Sequence, residues 1–501
     1  MLRILGGLVS LFVLVALVPI FAGGQPPGAA PPGEPAGLSH LAHPASKPAP
    51  AEQMPLIRLA ISTKLPKTHA LKYQLYPDPL DVTPGNAATV WMRAGRAAAV
   101  AKPKLLETES KWLSPADTPL KDFPKADARA FLEKYANALR LADEAARKNH
   151  CDWELPPLTV QMMNTYRLDE VQSCRELANL LSLECRLQLS DGDFDAALRT
   201  LQTGFALARH VGDGDTLVHN LVGIAIASAM LGSVEEMIQL PDSPDLYWAL
   251  TALPSPFIDM RATMTSELNI IYRSFPQLRK LDTLETTPPE FDKLVNEMFE
   301  ELSKIDGHTA QGFEGKLLQT AFVLKTYPDA KRWLIGLGRP EEKVKALPAL
   351  QVVLMYQLDQ YNDLRDAILA AFSLPPWQAH PLLDQIEKRI RAMRADGVVN
   401  PFIMLMLPAI VKVHEADARW QRSVASLRVA ESLRWYAGAH DGKVPDTLAD
   451  IPELPGVIDP QTGRGFDPFY KVADATAIFE VSPPRNMPVA LGRRFELKAG
   501  R

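Results

Sequence analysis

A chain of 501 residues is long enough for several domains or one extended helical array, and its 47% hydrophobic content excludes disorder of the whole. A formal net charge of −5 provides no basic footprint and argues against nucleic acid as a partner. The 43 prolines exceed average usage and gather near the N-terminus and between helical runs, as many short helices require.

Met1-Leu2-Arg3 carries one positive charge, and Ile4 to Ala22 is then an apolar run without charge. That run reaches the roughly 17 to 25 residues needed to span a bilayer. Residues 1–24 therefore read as an export signal, either a signal peptide cleaved near Ala22-Gly23-Gly24 or a transmembrane helix kept as an anchor. With Arg3 on the cytoplasmic side the rest of the chain is expected outside the cytoplasmic membrane: periplasmic or secreted, or membrane-anchored through residues 1–22. Residues 25–55, rich in Pro, Gly and Ala, read as a disordered spacer.

The body begins near Leu56, and residues 56–440 read as a helical domain. Leu71 to Pro77 alternates like a short extended segment, and Asn86 is placed to cap a helix over Ala87 to Ala101. A further helix is expected from Lys125 to Asn149, closed by His150 to Pro157 with Trp153 pinning the loop to the core. The stretch from Val171 to Met237 is cut by Asp191-Gly192-Asp193 and Gly212-Asp213-Gly214-Asp215 into three helical pieces. In the middle piece Phe194, Ala197, Leu198, Leu201, Phe205 and Ala208 form one apolar stripe. Leu217 to Leu231 is apolar nearly all round and is expected to be buried. Turns this short make the pieces pack antiparallel.

Tyr247 to Leu250, Phe257 to Phe275, Glu290 to Ile305, Gly315 to Tyr327, Asp329 to Leu337, Pro340 to Phe372 and Pro408 to His440 continue the helical pattern. From Asp441 the grammar changes. Prolines forbid long helices, and Phe469 to Val472, Ala477 to Val481 and Val489 to Leu497 have strand-like content, with Asp474-Ala475-Thr476 as a turn. The expected fold is mainly α: antiparallel hairpins in a solenoid-like or irregular helical array, with a small antiparallel β piece over residues 441–501.

Several stretches together resemble a known group. Leu71-Lys72-Tyr73, Pro84-Gly85-Asn86-Ala87-Ala88, Cys151-Asp152-Trp153-Glu154-Leu155-Pro156, Leu246-Tyr247-Trp248-Ala249-Leu250, Leu350-Gln351-Val352-Val353-Leu354 and Asp459-Pro460-Gln461-Thr462-Gly463 are similar to the uncharacterised signal-bearing helical proteins of planctomycete bacteria. The resemblance implies export and a helical body, and brings no activity with it. Locally, Gly192 to Leu198 resembles the second-helix start of a tetratricopeptide repeat, although Cys185 and Gln188 replace the preceding helix's glycine and aromatic. Ala430 to Tyr470 resembles the soluble end of a type II secretion pseudopilin, far from the N-terminal segment from which a pseudopilin's helix grows.

No constellation commits to a chemistry. Asp191, Asp193 and Asp195 mimic a calcium loop, but Ala196 stands where its glycine belongs and Gln202 where its glutamate belongs, so helix capping is the better account. Asp459, Asp467 and Asp474 read as turn formers. His414-Glu415 lacks the second histidine of a zinc site, since Ala418 occupies that place. His150 with Cys151, and His210 with His219, are weighed as metal or nucleophile pairs and set below surface or capping roles. Gly312 to Lys316 lacks phosphate-loop spacing, and Trp248, Trp333, Trp377 and Trp435 read as packing anchors. Cys174 and Cys185 would lie about 16 Å apart on one helix, too far to bridge, so Cys151 alone could pair with either. Three small buried thiols are the preferred reading.

No catalytic, cofactor-binding or metal residue is therefore assigned, and no cofactor is expected. The expected function is a non-catalytic exported envelope protein, a helical scaffold or protein-interaction module with an unidentified protein partner in the cell envelope. The alternatives are an envelope enzyme acting on a glycan through paired carboxylates, and a pseudopilin-like assembly subunit.

Overall fold

A computed structural model describes residues 54–62, 72–101, 107–157, 159, 169–281, 283, 287–306, 312–395, 400–483 and 489–500. The apolar run Ile4 to Ala22 and the spacer up to residue 53 lie outside the described residues.

The body opens at Leu56–Arg58 with a strand of the C-terminal sheet, and the first helix starts where the sequence placed it. Strand β2 (Thr83–Asn86) leads into α1 (Ala87–Ala101), and Asn86 Oδ1 accepts the Ala88 N–H at 3.0 Å. The same side chain holds the loop after β3 (Lys148–His150), its amide donating to Asp152 O at 2.7 Å. Residues 72–77 form no strand; β2 and β3 pair in parallel instead. The single helix expected over Lys125 to Asn149 is two, α2 (Lys125–Glu133) and α3 (Ala136–Ala146). At the break the N–H groups of Lys134 and Tyr135 bond three residues back, to Phe131 and Leu132. That tightened turn lets Phe131, Leu132 and Tyr135 all enter the core, a gain that outweighs a continuous helix.

The central unit is α4 (Asp169–Asp191), α5 (Phe194–Gly212) and α6 (Leu217–Met237). Gly192 turns the chain at φ +76°, a value that favours glycine, and Asp193 then caps α5 by accepting the Ala196 N–H at 3.0 Å. Ala197, Leu198, Leu201, Phe205 and Ala208 are buried as the periodicity requires, against Leu177, Leu181 and Cys185 of α4. α5 meets α6 at Gly212 with Gly223 and at Gly204 with Met230, so the two run antiparallel. α6 is long and apolar enough to cross a membrane, yet 72% of its apolar window is buried inside the body.

Short helices α7 (Tyr247–Thr251), α8 (Met260–Leu268) and α9 (Ile270–Ser274) follow, with α8 and α9 occupying most of the expected Phe257 to Phe275 run. Then come α10 (Pro288–Asp306), α11 (Gly312–Gly336), α12 (Glu341–Ala346), α13 (Ala349–Phe372), α14 (Pro376–Ala395) and α15 (Pro401–Ala439). Three proline-based boundaries differ from expectation. α11 runs through Pro328, its lost backbone bond offset by the burial of Ala330 and Leu334, whereas Pro348 does divide α12 from α13. α15 starts at Pro401 rather than Pro408, proline being favoured at a first helical position.

The C-terminal strands β6 (Tyr470–Ala473), β7 (Thr476–Val481) and β8 (Arg493–Lys498) are antiparallel. Asp474 and Ala475 both have positive φ, 50° and 54°, which matches the right-handed twist of a tight hairpin. The sheet recruits one strand from the other end of the body: β1 (Leu56–Arg58) pairs in parallel with β8, giving the order β1-β8-β7-β6. A minor hairpin, β4 (Ile458–Asp459) with β5 (Arg464–Gly465), is held to α15 by Arg422, which grips the Asp459 carboxylate with two bonds of 3.1 Å. Asp459 also caps its own turn, as expected of it, by accepting the Gln461 N–H at 2.9 Å.

Candidate functional site

One cleft of about 380 Å³ opens between the α8–α9 junction, the 3₁₀ turn Pro276–Lys280, the end of α11 and one face of α13. Met355, Leu358, Asp359, Asn362 and Arg365 recur at helical spacing and supply the α13 wall. Proline opens the 3₁₀ turn, which sends Leu278 inward and leaves Arg279 exposed at the rim. Arg339 enters from the turn that follows α11. Three guanidinium groups from three elements thus share the lining with a single carboxylate, that of Asp359.

The polar groups are already oriented. The Tyr272 hydroxyl donates to Asn362 Oδ1 at 2.6 Å, which turns the Asn362 amide N–H groups away from that bond as donors. Arg365 donates through Nη1 to Asn269 Oδ1 at 3.3 Å and through Nε to Asp366 at 2.9 Å, and lies 5.7 Å from the centre of the Tyr272 ring. The Trp333 indole donates to Asp359 Oδ2 at 2.7 Å. Tyr361 ties the wall down by donating to Leu268 O at 2.5 Å, and burial pushes its phenol well above the ordinary range. Trp333 and Leu337, 41% and 56% exposed, form an apolar lip. Guanidinium, amide and phenol groups around an apolar floor are a set that binds oxyanions and orients them.

The residues singled out in the sequence lie elsewhere, apart from Trp333. Asp191 pairs with Lys125 and Arg129 at 3.3 and 2.6 Å, while Asp193 caps α5. No group of three or more His, Cys, Asp or Glu is placed to hold a metal among the described residues. Cys151 is half-buried and its thiol is pushed up to about 12, first by burial and then by Asp213 and Asp152, which removes it as a nucleophile. No disulfide joins the described residues. Gly312 to Lys316 is the start of a helix, not a loop. Trp153 is the anchor it was expected to be, donating to His210 O at 2.8 Å. Trp377, 43% exposed, lies over Gly463, where a Cβ would come within 2.8 Å of the indole.

Three histidines are buried and neutral. His210 accepts the Trp91 indole N–H at 3.0 Å, His219 pairs with the Thr216 hydroxyl at 2.7 Å, and the ring of His414 sits 5.1 Å from that of His380. Burial lowers all three to about 4. The unfolded chain therefore binds more protons as pH falls through the ordinary histidine value, and each imidazole withdraws up to about 3 kcal/mol of stability between there and its folded value. Glu184 and Asp417, raised by burial to about 7 and about 6, act in the opposite sense, favouring the fold as pH falls below those values. Proton NMR separates these contributions. The three imidazole resonances are expected to stay fixed down to about pH 5, and a midpoint near the ordinary histidine value for any of them would contradict its buried neutral state.

The fold and cleft together define a mainly helical protein with a C-terminal sheet and an arginine-lined recess. No family model matches the chain, nor does any curated protein or solved structure.

Proposed function

We propose that this chain is a non-catalytic helical scaffold that acts outside the cytoplasmic membrane and holds a partner protein. The observation that carries the proposal is the convergence of Arg279, Arg339 and Arg365 on one open cleft with an apolar lip, a surface suited to acidic groups of another chain. The export part rests on the charge-free run Ile4 to Ala22 and on the resemblance to signal-bearing helical proteins. A glycan-active enzyme would need paired carboxylates in an open site. The close pair Asp245 and Glu431 is instead sealed in the interior beside Arg434.

The test is a pull-down from envelope extracts with the full chain and its Arg279→Glu variant. Arg279 is exposed and makes no hydrogen bond or ion pair among the described residues, so the substitution leaves the fold intact. A partner retained by the parent chain and depleted about tenfold by the variant is the expected result. Equal recovery with both proteins would refute the assignment of the cleft as the contact surface.

A further inference from the structure

The cleft carries more information than its charge. Asp359 is an acceptor set among arginines. One of its oxygens is taken by the Trp333 indole, and the other accepts no hydrogen bond among the described residues. A sulfate has no proton to offer that oxygen at neutral pH and is repelled by it. A ligand with its own N–H donors, by contrast, satisfies it. One helical turn away the Asn362 amide, its oxygen occupied by Tyr272, presents donors. An acceptor and a donor this close on one helix face match the N–H and C=O of a polypeptide backbone, while the surrounding guanidinium groups match carboxylates and the lip of Trp333 and Leu337 matches apolar side chains.

From these groups we infer that the cleft takes an extended segment of polypeptide in which acidic and apolar residues alternate. Its backbone N–H bonds to Asp359, its backbone C=O to Asn362, and its carboxylates to Arg279 and Arg365. This assignment rests on the cleft being the partner-contact surface and specifies what the partner presents there.

The experiment measures fluorescence anisotropy of a labelled peptide, Gly-Glu-Leu-Glu-Leu-Gly, with the full chain. Its Glu→Gln counterpart and inorganic sulfate serve as the other probes. Saturable binding is expected, weakened about tenfold in the glutamine peptide and in Arg279→Glu, and reduced by added salt. The deciding variant is Asp359→Asn. Loss of a carboxylate acceptor weakens the hold on a backbone N–H, read with the uncharged glutamine peptide, whereas at a simple oxyanion site the loss of a negative charge only strengthens binding of the glutamate peptide and of sulfate. Undiminished binding of the glutamine peptide by Asp359→Asn, or equal competition by sulfate, would overturn the peptide assignment and leave an oxyanion site. Absence of peptide binding alongside a partner still lost by Arg279→Glu in the pull-down would overturn the peptide assignment alone, and the scaffold proposal would stand.

Discussion

Arg434→Ala is expected to destabilise the fold by about 3 to 5 kcal/mol, the cost of leaving a buried charge without its partner. Arg434 is fully buried on α15 and holds together segments far apart in the chain. Its Nε donates to Ala60 O at 2.7 Å, its Nη1 to Glu431 at 2.6 Å, and its Nη2 to Ser243 Oγ and O at 2.5 and 3.2 Å. Glu431 in turn accepts the Leu246 N–H at 3.0 Å, and Asp245 accepts the Tyr247 N–H at 3.0 Å. Burial and the neighbouring Glu431 hold the Asp245 carboxyl well above the usual carboxylate range. Without the guanidinium, Glu431 loses the cation that pairs with it, Ala60 O loses its hydrogen bond from Nε, and Ser243 O keeps only the 3.4 Å bond from the Ser62 hydroxyl.

Urea denaturation followed by near-UV circular dichroism reads the effect, and a midpoint close to that of the parent chain would contradict it. Because an apolar replacement of a whole buried ionic set is often tolerated, Arg434→Met combined with Glu431→Leu and Asp245→Leu is expected to recover part of the loss. The raised Asp245 adds a pH signature. Its share of stability is present below the ordinary aspartate value and is lost as pH rises through the folded value.

Gly223→Ala is expected to cost about 3 kcal/mol, the upper end for overpacking a core. A Cβ there would lie 2.6 Å from the Ala208 carbonyl oxygen and 2.7 Å from Gly212 Cα. Those atoms are backbone and have no rotamer to yield, so α5 and α6 must separate along a seam that buries Phe205 and Met230. Gly232→Ala on the same helix meets nothing within 4 Å and serves as the control, gaining helix propensity instead. Thermal midpoints of the two variants are expected to move in opposite directions. A neutral Gly223→Ala would mean that the helices do not approach as described.

Much of the fold was legible from local chemistry. The stripe from Ala197 to Ala208, the caps at Asn86 and Asp193, the all-round burial of α6 and the Asp474-Ala475 hairpin each follow from periodicity or turn preference over a few residues. Boundaries set by a balance of distant contacts were not legible. Pro328 reads as a break, yet the packing of Ala330 and Leu334 carries α11 through it. Lys134 and Tyr135 contain no breaker, yet the helix divides there so that Tyr135 can be buried.

The candidate cleft was illegible for the same reason. Asn269, Arg279, Arg339 and Arg365 come from four places in the chain, none with a motif, and an arginine on an amphipathic helix reads as solvated surface. What the sequence determined by itself is the helical class, the strand-forming tail and the places where the chain turns, because these depend on neighbours within about one helical turn or one hairpin. What only the tertiary structure decided is which distant residues share a space: β1 added to the C-terminal sheet, Arg434 joined to Ala60, and three arginines brought to one recess. Such pairings are selected by the packing of the whole chain, in which every element competes for the same buried area, and no local segment carries that information.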